Sequence, residues 1–446
     1  MPRGTIVVGD WLVVAADRRP LEHGAIRIEG TVITETGLGA DLVAAHRDDT
    51  VVDGTGHVIA PGFVNAHVHL YGVLAHGIPV HGSLDGFWGF LNDFWWPKVE
   101  DSLDVPMIEA ATEWVCGEML RSGITTFYDI TEAPNALPGV LHRQKSVVDR
   151  LGMRGILSFE ATQRTSLQNG NAGLEENVSA ILASRSDSSS LVEALMSVHT
   201  TFTCSPEFLE RAFALAVEHD VMFHAHVNEG VHEGAWCEQH RGMRTLELYD
   251  KLGIAGPRLL ASQCVQLSDR EEAIVAERGV RCVHMPLANC EVGGGIAKIP
   301  EKLTAGVTVG LGSDGYINDF FAVMRGAFLL HKARLLDPGA MPANVVFAMA
   351  TEGGARALGL TERPIPVGRL EVGWSGDLQL IRADFPTPAS PENLFDQLVL
   401  WRDSRHVTDV MINGQWRVRG GEVAGFDRDR ARARVHEQAH RLWAKA

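Results

Sequence analysis

The chain has 446 residues, enough for one large domain with a smaller companion, and its 45% hydrophobic and 22% charged content fits a globular protein with a sizeable core. A net charge of −16 with no local basic patch argues against nucleic acid as a partner. No apolar run approaches membrane-spanning length, and the start from Met1 to Thr5 lacks the charged, apolar and small-residue regions of a secretion signal. The six cysteines form no Cys-x-x-Cys pair, so reduced thiols and a cytoplasmic location are expected. A small molecule is the expected partner, and a homo-oligomer the expected assembly.

In chain order, residues 5–15, 25–34 and 50–59 read as short strands, being β-branched, interrupted by glycine and free of helical period. From residue 63 the pattern alternates. Strand-like apolar runs occur at 63–69, 124–130, 154–160, 194–200, 221–227, 258–265, 280–285 and 307–313, with helical patterns between most of them. Between the first two runs, Phe87, Leu91, Phe94 and Trp95 share a helical face and are read as core, while Trp88 is the candidate wall over a flat heterocycle. Ser205-Pro206-Glu207 opens one helix with a cap and an N1 proline, and Ser268-Asp269-Arg270-Glu271 opens another with a capping box. Seven units between residues 63 and 307 average about 35 residues each, the scale of a parallel barrel. Strand-like sequence returns between Gly368 and Ile381 and between Asp409 and Val418. The predicted fold class is therefore α/β: a (β/α)8 barrel over 61–364, a small β-sandwich domain built from 1–60 plus 365–425, and a C-terminal helix over 426–446.

Candidate ligands lie at the ends of three of these strands. In Phe63-Val64-Asn65-Ala66-His67-Val68-His69 the two histidines are two apart, so both point to one side of a strand. Val221 to Glu229 supplies His224 and His226, followed by an acid. Val307 to Gly315 is an apolar strand ending in Asp314. In a barrel, an apolar strand ending in a polar residue at the C-terminal face reads as functional. The first and last strands are neighbours only if the barrel closes. Nitrogen-rich sites of this kind suit zinc, iron or nickel rather than magnesium or calcium.

Taken together, PGFVNAHVH (61–69), GITTFYDI (123–130), His199 with Ser205-Pro206-Glu207, HVNE (226–229), Pro286 to Asn289 with Gly295, and GVTVGLGSDG (306–315) resemble the amidohydrolase superfamily. The resemblance is to the branch of adenosylhomocysteine and guanine deaminases and atrazine chlorohydrolase, and within it to SsnA-like aminohydrolases through LGSDGYINDFFAVMRGAF, FEATQR (159–164) and the tail from Gly368 to Gly414. It implies that His67, His69, His226 and Asp314 hold one divalent metal, with zinc preferred to iron. His224 is then a supporting buried residue. Asp314 would also accept a proton from water, and Glu229 would be the general acid/base. His199 would contact substrate, and Asn289, after the seventh strand, would orient substrate or the metal's water. The chain has no lysine between Lys145 and Lys251 to bridge two metals; Glu160 is a bridging acid, a polar loop residue or a substrate contact.

One departure stands out. Gln263 occupies the sixth-strand position where the family pattern has a histidine, and an amide cannot ionise. It is expected to face the reacting water as a neutral donor or to read a polar atom of substrate. The implied activity is metal-dependent hydrolysis of a non-peptide C–N bond, foremost the deamination of an amino-substituted heterocycle. Dechlorination or ring C–N hydrolysis of a related heterocycle is the alternative on the same site, and an inactive metal-binding homologue is the alternative of another class.

Overall fold

The computed structural model describes residues 4–80, 84–316 and 318–445. Eight parallel strand positions form the central sheet: Phe63–Val68, Ile124–Thr131, Arg154–Ala161, the pair Val192–Ala194 and Met196–Val198, Phe223–Val227, Leu259–Gln263, Arg281–His284 and Val309–Leu311. Helices on the outside and side chains within cover both faces, so nearly every strand residue is buried and the strands read as continuous apolar runs. The fourth position is split, with Val192–Ala194 pairing only to the third strand and Met196–Val198 pairing to both the third and the fifth.

Closure is made by the first and eighth strands. Val68 bridges Asp314 in parallel, and the His67 carbonyl accepts from the amides of Ser313 (3.0 Å) and Asp314 (3.1 Å). Asn65, on the same strand, clamps Ser313 from both sides: its Nδ2 donates to the hydroxyl (2.7 Å) and its Oδ1 accepts from the amide (3.1 Å). Asp314 is thus placed by the backbone that carries His67.

Strands from both ends of the chain build a second, mixed sheet. Its order runs Glu422–Val423, Gln415–Arg419, Val407–Ile412, Leu378–Arg382, Thr50–Pro61, Thr5–Leu12, Gly24–Glu29, Val32–Leu38, with Leu21–Glu22 beside Thr5–Leu12. Val7, Leu12, Ile26, Ile59, Leu378, Leu380 and Met411 share one apolar cluster there. Thr50–Pro61 passes through Gly62 into the first barrel strand, and a Cβ at Gly62 would lie 2.1 Å from the Thr125 side chain, so only glycine fits the crossing.

The last helix, Arg428–Trp443, starts at the Asp427 cap and lies along the helix Val105–Arg121. Arg434 pairs with Glu113 (3.0 Å) and Arg441 with Asp104 (2.6 Å); being partly exposed, these pairs contribute ~0–1 kcal/mol each. The firmer anchors are fully buried Leu442 and the Trp443 indole, which donates to the Leu74 carbonyl (2.8 Å) and so steadies the segment after His69. Among the described residues, no helix is long and apolar enough to cross a membrane.

Candidate metal centre and active site

His67, His69 and His226 converge at the C-terminal mouth of the barrel, their donor atoms within 4.8 Å of one another. Asp314 completes the group: its Oδ2 lies 3.8 Å from His67 Nε2 and its Oδ1 3.8 Å from His69 Nε2. Two features fit this set to a divalent metal. His67 is fully buried with neither ring nitrogen hydrogen-bonded, a costly state unless a ligand uses the lone pair. His69 donates from Nδ1 to the Ile130 carbonyl (2.7 Å), which fixes its tautomer and leaves Nε2 as the free donor. Burial, then the neighbouring His69 and His226, hold His67 well below the ordinary histidine range, in the neutral form that ligates.

His224 is excluded from the set by its bonds. Ser197 and Ser262 occupy its two ring nitrogens at 2.9 Å each, in the space between the fourth and sixth strands. Glu160, at the end of the third strand, sits 2.5 Å from His226 Nδ1, and its donor atoms, with those of His199 and His226, also lie within 4.8 Å of one another. Burial opposes charge on both members of the Glu160–His226 pair, and their mutual attraction outweighs it, raising His226 and lowering Glu160. His199 is oriented by Thr203 Oγ1 on its Nδ1 (2.8 Å), and burial pushes it down to about 3, so it acts as a neutral imidazole.

Backbone strain marks the strand ends. Asn228, Gln263, Cys264 and Asp314 all adopt left-handed conformations, with φ of 49°, 73°, 49° and 59°. Each such non-glycine residue costs on the order of 1–3 kcal/mol and needs surrounding support. Asn228 has it: Nδ2 donates to Glu271 (2.8 Å), Oδ1 accepts from Thr245 (3.1 Å), and its amide donates to Glu233. The turn at Asn228 brings Glu229 back to the cavity wall beside His226. Burial, then the charge of Asp314, raise Glu229 to about 8, far above an ordinary carboxyl.

Gln263 does not face the cavity. It is buried, donates Nε2 to Asp314 Oδ2 (2.7 Å), and accepts on Oε1 from Asn289 Nδ2. The Gly315 amide takes the other Asp314 oxygen (2.6 Å). Asn289 is likewise absent from the lining and acts on Asp314 through Gln263. The strand-end position of Gln263 is legible in sequence; the direction of its amide is not, because the left-handed turn rotates it.

The cavity encloses about 540 Å³ and is walled by aromatic residues. Here the helical reading of 87–96 is corrected. After a short α-turn at Gly86–Gly89 the chain continues as a wide π-helix over Phe90–Val99, so the 3.6-residue period does not apply. Leu91 and Phe94 are buried, and Phe94 joins the main apolar cluster with Trp95 packed against it, as expected of core; these side chains and Phe87 also line the cavity, together with Phe90, Trp96 and Phe202. Trp88 is not among the lining residues: it stacks on His232 (ring centroids 4.0 Å apart) and packs edge-on against Trp96 and Phe202, supporting the wall. Sequence reasoning also missed Asp129, fully buried on the second barrel strand, which accepts from the Leu70 amide (2.8 Å), Thr131 and Gln144 and thereby fixes the turn after His69.

A closed parallel barrel with three histidines and an aspartate at its mouth defines the metal-dependent barrel hydrolases. The chain belongs to the amidohydrolase family, whose model matches residues 58–417. It is 33% identical over 410 residues to the 5'-deoxyadenosine deaminase of Methanothermobacter thermautotrophicus, covering 90% of this chain and 92% of that one. It is 32% identical over 423 residues to the 5-methylthioadenosine/S-adenosylhomocysteine deaminase of Syntrophobacter fumaroxidans, covering 92% and 91%. The crystal structure of an adenosine deaminase from Xanthomonas campestris with bound zinc superposes with a TM-score of 0.86 at 26% identity, over 99% of each chain.

Proposed function

We propose that the protein is a metal-dependent aminohydrolase that releases ammonia from an amino-substituted heterocycle, with His67, His69, His226 and Asp314 as ligands to a single zinc ion in preference to iron. Support comes above all from one arrangement: His69, His226, Asp314 and a carboxyl raised to about 8, Glu229, line one aromatic-walled cavity, and His67 is buried beside them with its donor atom within 4.8 Å of those of His69 and His226. The deaminase names of the two relatives point the same way. A divalent metal there would lower the pKa of a water towards ~7. Asp314, held by Gln263 and Gly315, is positioned to take a proton from the attacking water. Glu229 gives its proton to the ring nitrogen as the water oxygen bonds to the ring carbon; Asp314 passes the proton it took from the water to the departing amine, the exocyclic C–N bond breaks, and the hydroxyl on the ring carbon returns its proton to Glu229 as the carbonyl forms and ammonia leaves. His199, neutral and oriented by Thr203, contacts the ring as a hydrogen-bonding partner. Ammonia release from aminated purine nucleosides, pterins and triazines tests this activity; metal-loaded enzyme inert towards every member of the panel, with no ammonia above the uncatalysed rate, would overturn it.

Two further expectations follow from the same geometry. Elemental analysis should give about one equivalent of zinc or iron per chain, whereas two tightly held equivalents would make Glu160 a bridging ligand instead. Gln263→Ala should retain metal yet lose ~10–100-fold in kcat/KM, the range for a lost hydrogen bond to a charged group (~1.5–3 kcal/mol), and wild-type kinetics would make Gln263 a bystander.

A further inference from the structure

Asp314 is held from two sides by different parts of the chain. Gln263 Nε2, on the sixth strand, donates to Oδ2 (2.7 Å), and the Gly315 amide donates to Oδ1 (2.6 Å). Gly315 has no side chain to fix its own conformation, so its backbone must be held by neighbours. Those neighbours belong to the 3-10 turn Leu70–Ala75, which starts directly after His69. A Cβ on Gly72 would lie 2.7 Å from Gly315 Cα and 2.8 Å from the Gly315 carbonyl oxygen, so the two backbones meet with no room for a side chain. Just past the turn, His76 Nε2 lies 2.8 Å from the same carbonyl oxygen. A carbonyl only accepts, so Nε2 is the donor. The turn itself is pinned along its length. The Leu70 amide donates to Asp129 (2.8 Å), the Gly72 amide to the His69 carbonyl (2.9 Å), and the Trp443 indole to the Leu74 carbonyl (2.8 Å). The Tyr71 hydroxyl donates to Glu100 (2.8 Å), an acid paired with Arg164, which also holds Glu132.

A carboxylate with one partner can turn about its Cβ–Cγ bond, whereas two donors on its two oxygens fix its plane. Resting on the metal-dependent aminohydrolase reading of the same site, we propose that His76 is a positioning residue for Asp314, with Gly72 as the close contact that lets it reach. It acts through Gly315. Held at its Cα by Gly72 and at its carbonyl by His76, Gly315 keeps its amide on Oδ1, and Asp314 meets the metal and the attacking water in one orientation. Partners behind a metal ligand set its direction and its strength in this way. The same turn begins at His69, so one short segment fixes two of the four ligands relative to each other. His76 also lines the cavity, and the rival role for it is a direct contact with substrate. The two roles separate in the absence of substrate: a positioning residue changes metal affinity there, and a substrate contact does not. The His76 bond lies at the exposed rim, where its loss costs the fold little.

The test measures zinc affinity without substrate, by competition with a chelator, in wild type, His76→Leu, His76→Gln and Gly72→Ala; ammonia release is then followed in the zinc-loaded proteins. His76→Leu fills the space but cannot donate. It should bind zinc about threefold to tenfold more weakly, the range of one hydrogen bond, and lose kcat by a similar factor with KM within about twofold of wild type. His76→Gln carries an amide nitrogen as far along the side chain as Nε2 and should bring both quantities back to within about twofold of wild type. Gly72→Ala forces the Gly315 backbone away and should exceed His76→Leu in both; if it does not fold, the two His76 variants decide. Unchanged zinc affinity in His76→Leu, an effect confined to KM, or a His76→Gln as impaired as His76→Leu would overturn the inference. The two claims fail separately. Weakened zinc binding in a protein that releases no ammonia refutes the aminohydrolase activity alone, and ammonia release with unaltered zinc affinity refutes the positioning role alone.

Discussion

Glu229→Gln is expected to lower kcat by ~10² or more on the most rapidly turned-over panel substrate while metal content and fold are retained. Glutamine keeps the size of the side chain at the Asn228 turn and can still donate a hydrogen bond, but it cannot give a proton to the ring nitrogen or take one back from the new hydroxyl. The same variant makes an opposite prediction for stability. A carboxyl raised to about 8 in the folded protein binds its proton more tightly there than in the unfolded chain. Its burial therefore carries no penalty below pH ~4.5, a growing one as pH rises from there, and a constant one above pH ~8. Metal-free Glu229→Gln should accordingly be as stable as wild type at pH 4 and more stable by ~1–3 kcal/mol at pH 8, measured by urea unfolding at the two pH values. A variant that is slower and also less stable at pH 8 would mean that Glu229 holds the turn rather than the proton.

His67→Ala should abolish metal binding and with it all turnover. The reason is specific to this histidine: it is fully buried, keeps both ring nitrogens free of hydrogen bonds, and belongs to the strand whose carbonyl positions Asp314. The loss of affinity should exceed the ~10–100-fold that removing an outer partner of a ligand costs. His224→Gln is the matched control, because the Ser197 and Ser262 bonds commit both nitrogens of His224 elsewhere. Elemental analysis of the two variants prepared alike should find metal in the second and not in the first. Full occupancy in His67→Ala would remove that residue from the ligand set.

The barrel was readable because its strands are buried on both faces and therefore appear as apolar runs at regular spacing, each ending near a polar residue at the mouth. His67 and His69 were readable because a two-residue period is enough to put both on one side. What could not be read depends on departures from regular geometry. The π-helix over Phe90–Val99 changes the period on which the aromatic stripe was judged, so side chains that do join the core, Leu91 and Phe94, also line the cavity, and Trp88 stands outside the lining. The left-handed backbone at Gln263 turns its amide to Asp314 instead of the cavity. Glu100, Glu132 and Arg164 are separated by up to 64 residues and meet only because the loops after the first three strands share the barrel mouth; no local pattern marks them.

The most direct measurement is a metal titration of chelator-treated enzyme followed by ammonia release from the best panel substrate. Activity should start at zero, rise linearly with added zinc and level off at one equivalent per chain. Turnover without metal, or a rise that continues to two equivalents, would contradict a single metal held by His67, His69, His226 and Asp314.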